Sequence, residues 1–197
     1  MYFCYPVLMK KVQLFLLIAA LAIISGFIAC EKYKDPAPSD LGLTRKYCND
    51  PIAANYNDSF PGIPDNSVCI YPTELFEGTW LFQDSVYLPD MTFVRAQNYT
   101  LTFTAQNPAT DTFRNKLTLN GFCSGNTLKL TANRFGLAMT DTLIQYTEGG
   151  QLFCNPTDTI SGMYRVIFEE TGNRIHIQMN ENVPDGSYLH AGYATKQ

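Results

Sequence analysis

Four cysteines in the body of the chain carry the clearest chemistry in the sequence: Cys48, Cys69, Cys123 and Cys154. A four-cysteine zinc site normally needs close C-x₂₋₄-C pairs, and none of these cysteines form one. An even number of cysteines in an exported chain is typical of disulfides. Three pairings are possible. We predict the local pairing, Cys48 with Cys69 and Cys123 with Cys154, in which each bridge closes a loop of about 20 to 30 residues.

The sequence offers little for nucleophilic or acid–base catalysis. Residues 121–125 read GFCSG and match a G-x-C-x-G nucleophile elbow by letters, but an elbow needs a helix after it, and a strand pattern follows. There are two histidines, His176 on the outward side of an alternating strand and His190 in the last candidate strand. The adjacent Glu169 and Glu170 mark the end of a strand and point to opposite faces, unlike a glycosidase pair. We therefore predict no catalytic residue and no enzyme activity.

Oxygen-bearing side chains are concentrated between Cys48 and Cys69. They could converge on a hard cation such as Ca²⁺, although their spacing is not that of an EF-hand. The alternative, which the sequence favours, is that these side chains cap turns through the neighbouring backbone. No other cofactor is predicted. The calcium candidates are Asp50, Asn55, Asn57, Asp58 and Asp65.

An apolar run lies at residues 12–29, directly after the basic pair Lys10 and Lys11. The run has about 18 residues, the short limit for a membrane span. A basic flank before it and a small residue near its end are typical of a signal peptide. Met9 is a suitable start for such a peptide, and we expect translation to begin there. A permanent signal anchor is the alternative.

Residues 27–30 read FIAC and resemble a lipobox, the site where bacterial signal peptidase cuts before a cysteine that carries lipid. Phe27 stands where the lipobox usually has leucine. The resemblance implies a signal peptide over residues 1–29 and a lipid on Cys30, which would attach the protein to a membrane. We expect an outer-membrane lipoprotein of the cell envelope, on either the periplasmic or the surface face.

The mature chain divides into three parts by composition. Residues 30–46 contain Pro36 and Pro38, show no periodicity, and are predicted to be a flexible tether. Residues 47–72 are predicted to be a small loop module closed by a disulfide, because they are too short and polar to hold a core. Residues 73–197 are predicted to be an antiparallel β domain.

The loop module reads YCNDPIAANYNDSFPGIPDNSVCIYP. It resembles a disulfide-closed motif, CxDPxAxNYNPxAxxDDGSCxY, that occurs in exported proteins of Gram-negative bacteria. The sequence departs from the motif in the middle, which reads DSFPGIP, and before the second cysteine, where Asn66, Ser67 and Val68 stand. The role that the motif implies is structural or adhesive. The matching residues are Cys48, Asp50, Pro51, Ala53, Asn55, Tyr56, Asn57, Asp65, Ser67, Cys69 and Tyr71.

Apolar and polar residues alternate through the rest of the chain with period two, and no stretch keeps a helical period. Residues 170–173, between two strong strands, are predicted to be a hairpin turn. About eight short strands with short connections indicate an all-β protein with an antiparallel barrel or sandwich. The predicted strands are 78–82, 85–88, 99–104, 117–120, 128–132, 143–146, 159–162, 163–169, 175–179 and 188–194.

The Gly78-x-Trp80 sequence that opens this domain resembles the first strand of lipocalin-like domains. In those barrels the tryptophan closes one end of the core. Lipobox, loop motif and a small GTW-type β domain together resemble a recurrent class of Gram-negative bacterial lipoproteins. The resemblance implies a binding domain whose barrel is filled by side chains or holds a small apolar ligand.

The charge of the chain limits the classes of partner that we expect. The net charge is −4 with 16 % charged residues, and the lysines and arginines form no basic stripe, so we expect no nucleic acid partner. The function that the sequence favours is a lipid-anchored envelope protein whose non-catalytic β domain has a binding or structural role. The partner would be a protein, a glycan or a small apolar molecule. A lipocalin-like carrier and an enzyme of unrecognised type are the alternatives.

Overall fold

The computed structural model describes residues 43–141 and 150–197, which belong to one compact unit and consist mainly of β-strands. The predicted signal peptide, Cys30, most of the tether and the predicted strand 143–146 lie outside the described residues. Within the described ranges, no helix is long and apolar enough to cross a membrane. The strands are β1 (Lys46–Tyr47), β2 (Ile63–Pro64), β3 (Gly78–Tyr87), β4 (Phe93–Ala105), β5 (Lys116–Asn120), β6 (Leu128–Ala132), β7 (Leu137–Thr140), β8 (Gln151–Leu152), β9 (Thr159–Ile167), β10 (Arg174–Val183) and β11 (Gly186–Lys196).

Eight of these strands form a closed antiparallel barrel. From β3 to β7 each strand pairs with the next, then β7 pairs with β9, β9 with β10, and β10 with β11. The barrel closes because β11 returns to pair with β3. The short β8 extends the same edge of β9 beyond β7. The all-β prediction is confirmed. Of the two architectures that the sequence left open, barrel and sandwich, the structure is the barrel.

The alternation predicted from sequence places one side of each strand in the barrel interior. On β3 the inward positions include Trp80, Phe82 and Val86, which are buried, while the residues between them are more exposed. Aromatic rings contact one another through the centre: Phe82 lies 6.3 Å from Tyr99, and Phe103 lies 5.9 Å from Tyr164, between ring centroids. The interior therefore has a well-packed aromatic core along much of its length.

One end of the barrel is closed by Trp80 and a 3₁₀ helix, Pro72–Leu75, that precedes β3. The indole Nε1 donates a hydrogen bond to the carbonyl oxygen of Phe76 at 2.7 Å, so the tryptophan is buried without an unsatisfied donor. The Lys196 ammonium lies 5.5 Å from the centroid of the indole ring. Trp80 is therefore part of the buried core at this end of the barrel.

The other end is covered by two loops. The long β4 pairs with β5 only from Thr102 onward, and the loop 121–127 meets β4 just beyond this ladder, where Gly121 approaches Thr100. This loop carries Phe122, whose ring packs 5.0 Å from Tyr99. The Cys123–Cys154 disulfide ties the loop to the connection between β8 and β9. The bridge therefore holds the cover of this end in place.

Both predicted disulfides form in the local pairing, since Cys48 is bonded to Cys69 as well. The first bridge closes the loop module, whose own small core contains Cys48, Ala53 and Tyr71. The module lies against the barrel through arginines of the barrel loops. Arg114 stacks 3.6 Å from the Tyr71 ring centroid, and Arg134 donates from Nη1 to the carbonyl oxygen of Pro51 at 3.0 Å.

The strand boundaries differ from the prediction in an informative way. The two predicted strands 78–82 and 85–88 are the single strand β3, and 159–162 and 163–169 are the single strand β9. The short β7 was not predicted, because its four residues LAMT offer too few alternations and Met139 faces outward. The hairpin turn at 170–173 is confirmed between β9 and β10.

Candidate functional site

Three ionisable side chains point into the barrel from three adjacent strands. Asp84 lies on β3, His190 on β11 and Glu181 on β10, and the strand order β10–β11–β3 brings them together. Asp84 is 1 % exposed, His190 3 % and Glu181 8 %. Charged residues are almost never buried to this extent unless they are paired, so their partners decide what the cluster can do.

His190 bridges the two carboxylates. Its Nδ1 lies 2.8 Å from Asp84 Oδ2, and its Nε2 lies 3.1 Å from Glu181 Oε2. The side-chain amide of Gln97, inward on β4, donates from Nε2 to Asp84 Oδ2 at 3.2 Å. Because both ring nitrogens face carboxylate oxygens, the doubly protonated imidazolium is the form that satisfies both contacts.

The charge state of His190 follows from these contacts. Burial by itself lowers the pKa of an imidazole, but the hydrogen bonds to Asp84 and Glu181 and their negative charges outweigh burial and raise the pKa of His190 to about 9. The imidazole is therefore a cation at neutral pH. The nearby Tyr99 phenol has its pKa raised by burial and by the negative charges of Asp84 and Glu181.

This arrangement is suited to binding more than to proton transfer. A general base needs a ring nitrogen with a free lone pair near its substrate, whereas both nitrogens of His190 are hydrogen-bonded to carboxylates. Asp84 Oδ1, in contrast, is buried and has no hydrogen-bond partner among the residues that the structure describes. It is an acceptor that a donor group could reach, and it is the distinctive feature of the site.

The cluster was not predicted from the sequence, because its acidic residues fall outside the apolar alternation of their strands. Asp84 interrupts the apolar pattern of β3, so the prediction ended one strand before it and began another after it. Glu181 lies beyond the predicted end of the strand 175–179, and the real β10 continues to Val183. Each residue is nevertheless in phase with the buried positions of its strand. A polar residue at an inward position was the signal that could have found the site.

The other residues considered for chemistry have structural roles. His176 faces outward as predicted, with its ring stacked 4.9 Å from Tyr193. Cys123 of the elbow-like sequence is in a disulfide. Glu169 pairs with Arg174 across the hairpin turn.

The calcium candidates are engaged in turns and braces of the loop module. Asp50 Oδ1 accepts from the Ile52 amide at 3.1 Å, and its Oδ2 accepts from the Tyr71 hydroxyl at 3.1 Å. Asn55 bonds to the backbone of Val68 and Ile70, both at 2.7 Å. These contacts match the turn-capping alternative.

The remaining candidates also lie in turns or ion pairs of the loop module. Asp65 accepts from the Ser67 amide at 2.9 Å and pairs with Lys46 at 2.7 Å, and the hydrogen bond from that ammonium lowers the pKa of Asp65. Asn57 has a positive φ of 59°, as turn asparagines often do, and Asp58 follows it in the same turn. In the described part of the chain, no three His, Cys, Asp or Glu side chains are grouped to hold a metal ion.

Comparison with known proteins leaves the family open. No family model matches the chain, and no curated protein matches it. A solved structure from Bacteroides ovatus, described as a structural genomics protein of unknown function, aligns with a TM-score of 0.32 and 10 % sequence identity. The alignment covers 69 % of this chain and 44 % of that one, so this chain corresponds to less than half of the Bacteroides ovatus protein.

Proposed function

We propose that this chain is a lipid-anchored cell-envelope protein whose β-barrel is a non-catalytic binding domain. The observation that carries the binding role is the buried cluster of Asp84, His190 and Glu181, in which Asp84 Oδ1 has no donor among the described residues. Protein interiors seldom leave a buried carboxylate oxygen unsatisfied without a reason, and a ligand is one such reason.

The anchor is supported by the sequence and by the oxidised cysteines. Residues 27–30 resemble a lipobox, and two disulfides suit a protein that matures outside the cytoplasm. Cys30 would carry the lipid, and residues 30–46 would link it to the folded part. The membrane is then one partner of the protein, and the ligand of the barrel is a second.

A carrier of a small apolar molecule is the second candidate, and the closed meander barrel favours it. The packed aromatic rings of Phe82, Tyr99 and Phe122 weigh against a large apolar ligand, because they occupy the centre of the barrel. We therefore favour a small ligand with polar groups, bound at the end of the barrel that holds His190.

Binding is tested by native mass spectrometry of the full chain, purified in detergent from the envelope of the cells that make it. We expect a bound small molecule that leaves when the protein is unfolded. A spectrum of the intact chain at only its peptide and lipid mass, both from native membranes and after incubation with a metabolite extract, would contradict the binding role.

The anchor is tested separately by substitution of the predicted lipid site. Cys30→Ser should remove the lipid mass and leave the apolar segment 12–29 uncut, because a lipobox is cut before a cysteine that carries lipid. Ser39→Ala, in the predicted tether, is the control, and we expect it to leave both the lipid mass and the cut unchanged. A natural protein that keeps residues 12–29 and carries no lipid mass would instead support the permanent signal anchor.

A further inference from the structure

The two oxygens of the Asp84 carboxylate are used very unequally. Oδ2 receives two hydrogen bonds, from His190 Nδ1 at 2.8 Å and from Gln97 Nε2 at 3.2 Å. Oδ1 receives none from the residues that the structure describes, although Asp84 is 1 % exposed. Burying a carboxylate oxygen without a donor raises the free energy of the folded state. We therefore expect Oδ1 to accept from a donor that is not one of the surrounding side chains.

The charge of the cluster indicates which kind of donor fits. Asp84 and Glu181 carry two negative charges, and the buried His190 imidazolium neutralises one of them. Both N–H groups of that imidazolium are already used, so it cannot also serve Oδ1. A buried surplus of negative charge favours a donor that is itself positively charged.

Aromatic side chains lie two positions from Asp84 and Gln97 along the inward faces of β3 and β4, and they suit an organic cation. Tyr99 and Phe122 present aromatic rings 5.0 Å apart, and Phe82 lies 6.3 Å from both. Aromatic faces attract ammonium groups, most strongly where water is excluded. Arg95 is the other cation on this side of β4, but it is exposed and lies 5.8 Å from the Tyr188 ring centroid.

The wall of the barrel offers a route to the site. Among the described strands, residues 93–101 of β4 pair with β3 on one side only, since pairing with β5 begins at Thr102. Gln97 and Tyr99 lie on this part of β4. Gly121 and Phe122 of the loop 121–127 contact this part of β4 without forming a ladder, so a small molecule can reach the cluster by displacing a loop and need not separate paired strands.

We propose that Asp84 Oδ1 is the acceptor for a small organic ammonium ligand that carries at least one N–H. The proposal rests on the binding role proposed above and adds the chemical class of the ligand. Asp84 accepts a hydrogen bond from the N–H of the ligand, and Glu181 adds to the negative charge of the cluster. Tyr99 and Phe122 contact the carbon atoms of the ligand. A metal ion fits less well, because His190 has no free nitrogen to ligate it.

The probe for this proposal is methylammonium chloride, titrated into the ¹⁵N-labelled full chain in detergent. Tetramethylammonium chloride has the same charge but no N–H, and sodium chloride controls for ionic strength. We expect methylammonium to shift the side-chain amide signals of Gln97 and the ring signals of His190 with a saturable curve. Tetramethylammonium should bind at least about tenfold more weakly, because it cannot donate to Oδ1.

Two substitutions locate the binding. Asp84→Asn should weaken methylammonium binding by about tenfold or more, whereas Asp185→Asn, which removes an exposed carboxylate, should leave it within about twofold. Since Asp84→Asn could unfold the barrel, Arg95→Gln is the second variant. Arg95 is exposed at the rim, and removing its charge should tighten binding by about two- to threefold.

The proposal fails if methylammonium gives no saturable shift, if tetramethylammonium binds equally well, or if Arg95→Gln leaves the affinity unchanged. A slowly exchanging water at Oδ1 with no effect of methylammonium would also overturn it and assign the position to a buried water. A native ligand that lacks an ammonium group and still binds the Asp84→Asn protein would overturn only the proposal of an ammonium ligand. The binding role itself would then stand.

Discussion

His190 shows how one buried residue links the fold to pH. Its folded pKa of about 9 lies above the ordinary value of 6.5, so folding is stabilised by proton binding to this imidazole. The contribution is fully present below pH 6.5 and is lost as the pH rises through 9. A pKa rise of this size corresponds to about 3 kcal/mol at most.

We therefore expect the melting temperature to fall between pH 7 and 9, and His190→Gln to flatten this decline. Tyr99 does not share the window because its pKa is raised from 10, chiefly by burial. Thermal melts at stepped pH measure the effect, with His176→Gln, on the outer face of β10, as the control. A His190→Gln protein that keeps the full decline would contradict the role of the imidazolium.

Gly121 is a second residue whose identity depends on its surroundings. Its φ is +120°, and an added Cβ would lie 2.1 Å from the Thr100 carbonyl oxygen. Only glycine lets the loop 121–127 run this close to β4. The close approach places Phe122 against Tyr99, so this glycine helps to build the wall of the candidate site.

Gly121→Ala should lower the free energy of unfolding by at least about 2 kcal/mol more than Gly172→Ala does. Gly172 has nearly the same φ, +123°, but nothing lies within 4 Å of its added Cβ, so it isolates the backbone cost. Urea unfolding of both variants measures the difference. Equal losses in the two variants would mean that the loop simply moves away from Thr100.

At the scale of elements, the two disulfides stabilise different parts of the molecule. Cys123–Cys154 joins two loops of the barrel across a separation of 31 residues, whereas Cys48–Cys69 closes the loop module across 21. In the chain-entropy model each bridge is worth about 3 kcal/mol. Only the Cys123–Cys154 bridge restrains the barrel directly.

Trp80 is the single tryptophan and lies in the barrel core, so its fluorescence reports on barrel unfolding. Replacing Cys123 and Cys154 together by serine should lower the barrel's unfolding free energy by about 3 kcal/mol. The same double replacement at Cys48 and Cys69 should change it by less than about 1 kcal/mol. The reverse order in urea titrations would show that the loop module, and not the covering loops, holds the barrel closed.

At the scale of the whole molecule, the loop module is attached to the barrel by a few polar contacts. Arg114 stacks on Tyr71 and donates from Nη2 to Glu74 Oε1 at 2.9 Å. These groups are partly exposed, so together they are worth on the order of 1 kcal/mol. The module is therefore the part of the described chain that we expect to open first.

Arg114→Gln should speed hydrogen exchange of the module's amides by about fivefold, because it removes the stacking and the ion pair. Arg165→Gln, which removes an exposed arginine on the outer face of β9, is the matched control. Exchange followed by mass spectrometry compares residues 47–71 with β10 and β11. Unchanged exchange of the module in Arg114→Gln would place its attachment in other contacts.

The elements of this fold were largely predictable, because strands with one buried face carry their period in the sequence. Residues 117–120 and 128–132 match β5 and β6 within one residue. The prediction failed where tertiary structure overrides the local pattern. β4 begins at Phe93, before its alternation does, since pairing with β3 holds it extended.

By itself, the sequence determined the all-β class, the hairpin turn before β10 and the pairing of the four cysteines. These features depend on residues near one another along the chain, or on an alternation that each strand carries alone. Barrel closure and the meeting of Asp84, Glu181 and His190 were decided only by the tertiary structure. Asp84 and His190 are separated by 106 residues, and only the pairing of β11 with β3 brings them within hydrogen-bonding distance.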